Sequence, residues 1–157
     1  MDAIALLKDD HKAVSKLFRE YKSAKRAGRS SRSKIVDRVI EELSVHAAIE
    51  EQVFYPAVRE EVPELEDDIL ESLEEHHVLK WTLAELSAIA ADDERYDAKV
   101  TVMMEQVRHH VEEEESDWFP KVRAAFPRAR LRELGAELAS AKKRAPRSPE
   151  PDRVVPR

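Results

Sequence analysis

The chain contains no cysteine, which excludes disulfides and thiolate metal sites. It has only two glycines in 157 residues. No apolar segment of the secretory kind opens the sequence, and no apolar run approaches the thickness of a bilayer. A soluble, cytoplasmic protein without a membrane partner is the expectation. Positive charge is also in deficit: 27 basic residues stand against 33 acidic ones, a net −6. Such a surface has no general pull on nucleic acid, and none is expected as a partner.

Charged residues (38%) and apolar residues (42%) make up most of the chain. Few glycines with many Ala, Glu, Leu, Lys and Arg favour helix over sheet. At this length the chain reads as one domain, able to bury roughly 70% of its unfolded surface.

Two stretches match each other. His46-Ala-Ala-Ile-Glu50-Glu51-Gln-Val-Phe54-Tyr55-Pro56 recurs as His110-Val-Glu-Glu-Glu114-Glu115-Ser-Asp117-Trp118-Phe119-Pro120. On a helix, His46 with Glu50 and His110 with Glu114 lie one turn apart on the same face. Each copy thus presents an imidazole and a carboxylate together. A shorter echo precedes each copy, Asp10-His11 and Glu75-His76. The chain reads as two helix-pair repeats, each offering a lone histidine and then a His-x-x-x-Glu.

Apolar periodicity places these residues on helices. The expected helices run over about 2–27, 33–60, 63–91 and 94–125, with a short fifth over about 127–141. Asp2 suits the first N-cap, Gly28 with serines 30, 31 and 33 breaks the first helix and offers caps for the second, and Asp92 and Asp93 are expected to cap the fourth. His11 shares a face with Ile4, Leu7, Val14 and Phe18. His46 and Glu50 sit in the stripe Ile35, Val39, Leu43, Ile49, Val53 and Ala57. His76 falls among Ile69, Leu73, Leu79 and Leu83, and His110 and Glu114 follow Val100, Met103 and Val107. The fourth helix is also expected to turn Asp117 inward. Pro56 removes one backbone hydrogen bond and should kink or loosen its turn. The expected architecture is all-α: an up-down-up-down four-helix bundle with a short docking helix over 1–141, followed by a disordered Pro-rich, basic tail over 142–157.

Burying four imidazoles and two carboxylates without partners would be severe, since one unpaired polar group costs roughly 2–7 kcal/mol on transfer scales. Coordinated cations offset that cost. Two metals could each take one lone histidine and one from a His-x-x-x-Glu, with Glu50 and Glu114 bridging and an oxo, hydroxo or water bridge between them. Nitrogen and oxygen donors suit iron or manganese; zinc, which prefers a tetrahedral site, fits less well.

These motifs resemble the hemerythrin-like HHE cation-binding family over about residues 1–125. The resemblance implies a non-haem di-iron centre ligated by His11, His46, Glu50, His76, His110 and Glu114. Two departures from the oxygen-carrying hemerythrins stand out. Lys80 occupies the place of their second third-helix histidine, and His110-x-x-x-Glu114 is shorter than their last-helix spacing, so the resemblance does not extend to reversible O2 carriage. It points instead to oxygen, peroxide or nitric oxide as the small ligand, in stress responses or iron handling. Lys80 has two readings, pairing with an acid or stabilising an oxygen-derived anion beside the metals. Tyr21 or Tyr55 could offer a phenol to the centre; His77 and His109 read as surface or packing residues, with His77 a further candidate ligand. The functional expectations are therefore a reactive di-iron protein, with catalase-like turnover as its enzymatic form, and a non-catalytic sensor or iron-handling module acting through a protein partner. A metal-free bundle is the bland alternative.

Overall fold

The computed structural model describes residues 1–24 and 27–151. Helix α1 spans Ala3–Ser23. Asp2 caps it as expected, its Oδ1 accepting the Ala5 N–H at 2.8 Å. Lys25 and Arg26, at the expected end of this helix, lie outside the described residues. Helix α2 spans Arg29–Ile49 and begins earlier than the serines suggest. Its N-cap is Gly28, at φ +100°, a conformation that a side chain would strain.

After α2 come a π-helical turn, Glu50–Phe54, and then helix α3, Tyr55–Glu61. A 3-10 turn, Pro63–Leu65, leads into α4, Glu66–Ala88. Helix α5 spans Tyr96–Glu113. Asp93 does not cap it; its carboxylate accepts the Arg95 N–H at 2.8 Å, inside the preceding turn, and Arg95 is the N-cap. A second π turn, Glu114–Trp118, precedes α6, Phe119–Ala125, and α7 spans Arg128–Lys142.

Helix α1 packs on α2, α4 packs on α5, and α2 on α4 joins the pairs into the up-down-up-down bundle. The docking helix expected after the bundle is α7, which lies against α1, α2 and the first π turn. Its contact with the N-terminus is close: a Cβ on Gly135 would fall 2.2 Å from the Met1 carbonyl oxygen. Leu131, Leu134, Leu138 and Ala141 bury its inner face.

The core is two apolar clusters. One gathers Ile4, Leu7, Ile49, Phe54, Ile69 and Phe119 with the inner face of α7. The other gathers Val14, Phe18, Val36, Leu43, Leu83 and Met103. Each buried side chain of this size contributes about 1.5–3 kcal/mol. Along every long helix the predicted histidines fall between the two clusters, so a polar layer divides an otherwise apolar interior.

The π turns shift the phase of the second and fourth helices by one residue. An α-helical stripe would turn Val53 and Asp117 inward. Val53 is instead half-buried and Asp117 is exposed, paired with Lys121 at 3.0 Å. Phe54, Tyr55, Trp118 and Phe119 take the buried positions. Pro56 and Pro120 lack an N–H, so the ladder is already interrupted at the turn where each extra residue is accommodated. The predicted loosening at Pro56 takes the form of a π turn, a feature frequent at functional sites.

The segment expected to be a disordered tail is described as far as Pro151. Lys142 still belongs to α7, and Ala145 packs against the first cluster. Residues 152–157 lie outside the described residues.

Candidate metal centre

All six predicted ligands meet in the polar layer. His11, His46, Glu50, His76 and Glu114 are buried, and the His110 side chain is 12% exposed. They form two half-sites related by the sequence repeat. Ligand atoms of His11, His46 and Glu114 lie within 4.8 Å of one another, as do those of Glu50, His76 and His110. The imidazole centroids are 4.9 Å apart in each half. Glu50 Oε1 lies 3.1 Å from His46 Nε2 and 3.4 Å from His76 Nε2. Glu114 Oε1 lies 3.3 Å from His11 Nε2 and 3.5 Å from His110 Nε2. Each glutamate therefore stands between both halves.

A carboxylate lies behind every imidazole. His11 Nδ1 meets Glu115 at 2.6 Å, His46 Nδ1 meets Asp10 at 2.8 Å, His76 Nδ1 meets Glu51 at 3.1 Å and His110 Nδ1 meets Glu75 at 3.0 Å. A carboxylate accepts the Nδ1–H and so directs the Nε2 lone pair to the centre, the arrangement that orients metal-binding histidines. The repeat governs this too. The acid before each lone histidine serves its own helix pair, and the acid after each ligand glutamate serves the other pair.

The lone pairs of Nε2 then face carboxylate oxygens that also only accept. His11 Nε2, His46 Nε2, both oxygens of Glu50 and Glu114 Oε1 are buried without a hydrogen-bond partner. Acceptors crowded against acceptors need a cation or protons between them. Divalent or trivalent cations with N and O preference fit this donor set. Without them, protons are drawn in. Burial opposes charge on His46, but Glu50 and Asp10 outweigh it and hold its pKa well above the usual value. Against the same burial, Glu50 and Glu51 raise His76 to about 9. Burial also works against the Glu50 charge, yet His46 and neighbouring hydrogen bonds keep its carboxyl well below the normal range. Glu114 is pushed up by burial and by the Glu50 charge.

The halves differ at the aromatic residue that follows each ligand pair. Tyr55 OH donates to Glu114 Oε2 at 3.0 Å and lies 3.3 Å from His76 Nε2 and 3.2 Å from His110 Nε2. Its counterpart in the repeat, Phe119, stacks on His11 with centroids 6.0 Å apart. The π turn puts Tyr55 on the same side as Glu50. Tyr21 is not at the centre; it donates to Asp97, beside Arg32, toward the other end of the bundle. Lys80 Nζ reaches Glu51 at 2.6 Å, which places it behind His76. His77 is exposed, and His109 pairs on the surface with Glu113 at 3.0 Å. Glu75, His109 and Glu113 make a third, outer grouping of metal-binding side chains.

A cavity of about 400 Å³ reaches the centre between α1, α2, α4 and α5. All four candidate histidines line it, with Val14, Phe18, Leu43, Leu79, Val107 and Val111 and the charged Glu71, Glu74, Glu75 and Arg108. A second, of about 910 Å³, has Glu51, Tyr55 and Lys80 in its lining, together with Pro146, Ser148, Pro149 and Glu150.

Sequence reasoning did not assign Asp10, Glu51, Glu75 and Glu115. Their signal was present in both copies as an acid before the lone histidine and a doubled glutamate after His-x-x-x. No local pattern marks Lys142, whose Nζ lies 2.5 Å from Asp10 Oδ1.

Known proteins resemble this chain in sequence and in fold. Over 140 residues the chain is 27% identical to a DNA nickase from a Nostoc species, a match that spans 87% of this chain and 38% of the nickase. A crystal structure of a hemerythrin HHE cation-binding domain-containing protein from Mycobacterium kansasii has the same fold, with a TM-score of 0.78 and 24% identity over 92% of this chain and 86% of that one. No described helix is long and apolar enough to cross a membrane. The family model for the hemerythrin HHE cation-binding domain matches residues 2–122, and the chain belongs to that family.

Proposed function

We propose that the centre holds two irons and that the protein binds or turns over O2, peroxide or nitric oxide. The observation that carries this reading is the pairing of two buried half-sites, each with two carboxylate-backed imidazoles, around two shared glutamates. His11 and His46 would hold one cation and His76 and His110 the other, with Glu50 and Glu114 between them. When bound, such a pair supplies redox equivalents and open positions for a small ligand. The chain supplies the rest. Its four acids fix the ring orientations, so little reorganisation is needed on binding. Tyr55 OH, on the second half-site, is placed to hold or give a proton next to Glu114. Burial works against the Glu51 charge, but His76 and, after it, Lys80 hold the carboxylate in its ionised form. The lining of the first cavity is mostly apolar, interrupted by Glu71, Glu74, Glu75 and Arg108, and suits small neutral molecules.

Catalase-like disproportionation, two H2O2 to O2 and two water, is the enzymatic form. Iron-loaded protein should evolve oxygen from added peroxide, and Lys80→Met should slow it. Iron-loaded protein that neither evolves oxygen nor binds nitric oxide would refute the reactive reading. The second reading, a non-catalytic sensor or iron-handling module, is favoured by one contact: α7 reaches the Asp10–His46 pair through Lys142. The activity named for the cyanobacterial nickase is not carried over; this chain spans 38% of that protein, and a net charge of −6 gives DNA phosphates no general attraction.

A further inference from the structure

Two of the four carboxylates behind the histidines are held by a lysine. Lys80 holds Glu51 from within the bundle, on α4. Lys142 holds Asp10 from outside it, at the last residue of α7. Asp10 is only 5% exposed, and both its oxygens are engaged: Oδ1 with Lys142 at 2.5 Å and Oδ2 with His46 Nδ1 at 2.8 Å. Its counterpart in the second repeat, Glu75, keeps 28% of its side chain exposed, so water can share the load there. Asp10 has little such access, and a buried carboxylate with a free oxygen is costly.

The placement of Lys142 is itself over-determined. Four buried side chains, Leu131, Leu134, Leu138 and Ala141, fix the rotation of α7, and Gly135 lets its backbone sit against Met1–Ala3, one helical segment before Asp10. Helix α7 also touches the π turn that carries Glu50. Nothing in the twofold repeat requires this helix, yet its end completes a chain of contacts from Lys142 through Asp10 to His46.

We propose that Lys142 is a positioning residue for the first half-site: by holding the Asp10 carboxylate it fixes the His46 ring for a cation, which makes α7 part of the metal centre. This rests on the dinuclear reading above. It also assigns the two halves different sources of support, Lys142 for His46 and Lys80 for His76.

Zinc, which is diamagnetic, serves as the probe on full-length chain stripped of metal. Chelator competition reads the two affinities, and nitrogen-edited NMR of the zinc-loaded protein reads the histidine Nδ1–H protons. Lys142→Met should weaken one of the two zinc sites by about tenfold, the lower end for losing a group behind a metal ligand. It should also exchange away the His46 Nδ1–H signal while leaving that of His76. Lys142→Arg, which keeps the charge, should restore both. Wild-type affinities and an intact His46 signal in Lys142→Met would overturn the proposal. So would equal weakening of both sites with loss of amide protection throughout α7, which would make Lys142 a docking residue only. If the wild-type chain itself takes up no zinc or iron, the dinuclear reading falls first, and this inference with it.

Discussion

Removing the metal should cost the fold a large part of its stability, and the structure sets the scale. Five buried atoms of the candidate ligands have no hydrogen-bond partner: His11 Nε2, His46 Nε2, Glu50 Oε1, Glu50 Oε2 and Glu114 Oε1. At about 1–3 kcal/mol for each buried group left unpaired, they represent roughly 5–15 kcal/mol. That is the size of a whole domain's net stability. Protons and water drawn into the centre recover part of it, so a net loss of about 5 kcal/mol is expected. For a chain of this size 1 kcal/mol shifts Tm by about 2–4 °C, giving a fall of about 10–20 °C. Scanning calorimetry on iron-loaded, chelator-stripped and reloaded protein measures it, with metal analysis on each sample. A stripped protein that melts within about 2 °C of the loaded one would refute the reasoning, because the orphaned atoms would then be satisfied without a cation.

Three further outcomes follow from the same geometry. The stripped protein should lose stability as pH rises. His46, His76 and His110 have folded pKa values above their unfolded value of about 6.5, so their contribution is full below that pH and is lost through about 9, the value for His76. Metal binding competes with those protons, so cation affinity should rise over the same range; urea melts and metal titrations at pH 6 to 9 read the two opposite slopes. Gly135→Ala sets a Cβ 2.2 Å from the Met1 carbonyl oxygen, a backbone atom that cannot swing aside; it should destabilise by about 1–3 kcal/mol and lower hydrogen-exchange protection in α7. Tyr55→Phe should keep two irons by elemental analysis, yet lower peroxide turnover by about 100-fold, as loss of a positioned proton donor does.

Much of the fold, and the meeting of the six candidate residues, was legible because two signals repeat. Apolar residues at helical spacing run through all four long segments, and each half carries a histidine followed by His-x-x-x-Glu. The helix ends were less legible. Of Gly28 and the serines expected to cap α2, the glycine does so at φ +100°, whereas Arg95 caps α5 in place of Asp92 or Asp93 because Asp93 already closes the preceding turn. Asp117 was misplaced because a π turn adds one residue to the period after Glu114, and an α-helical wheel cannot register that. The same extra residue after Glu50 is why Tyr55, not Val53, faces the core. Lys142 was invisible because its partner, Asp10, lies 132 residues away, and only the docking of α7 brings them together.

The most direct test of the paired centre is anomalous diffraction from crystals of iron-loaded protein. Two iron peaks per chain are predicted, one beside His11 and His46 and the other beside His76 and His110, with Glu50 and Glu114 reaching both. A single peak, or iron bound away from these six side chains in a fully loaded sample, would contradict the account.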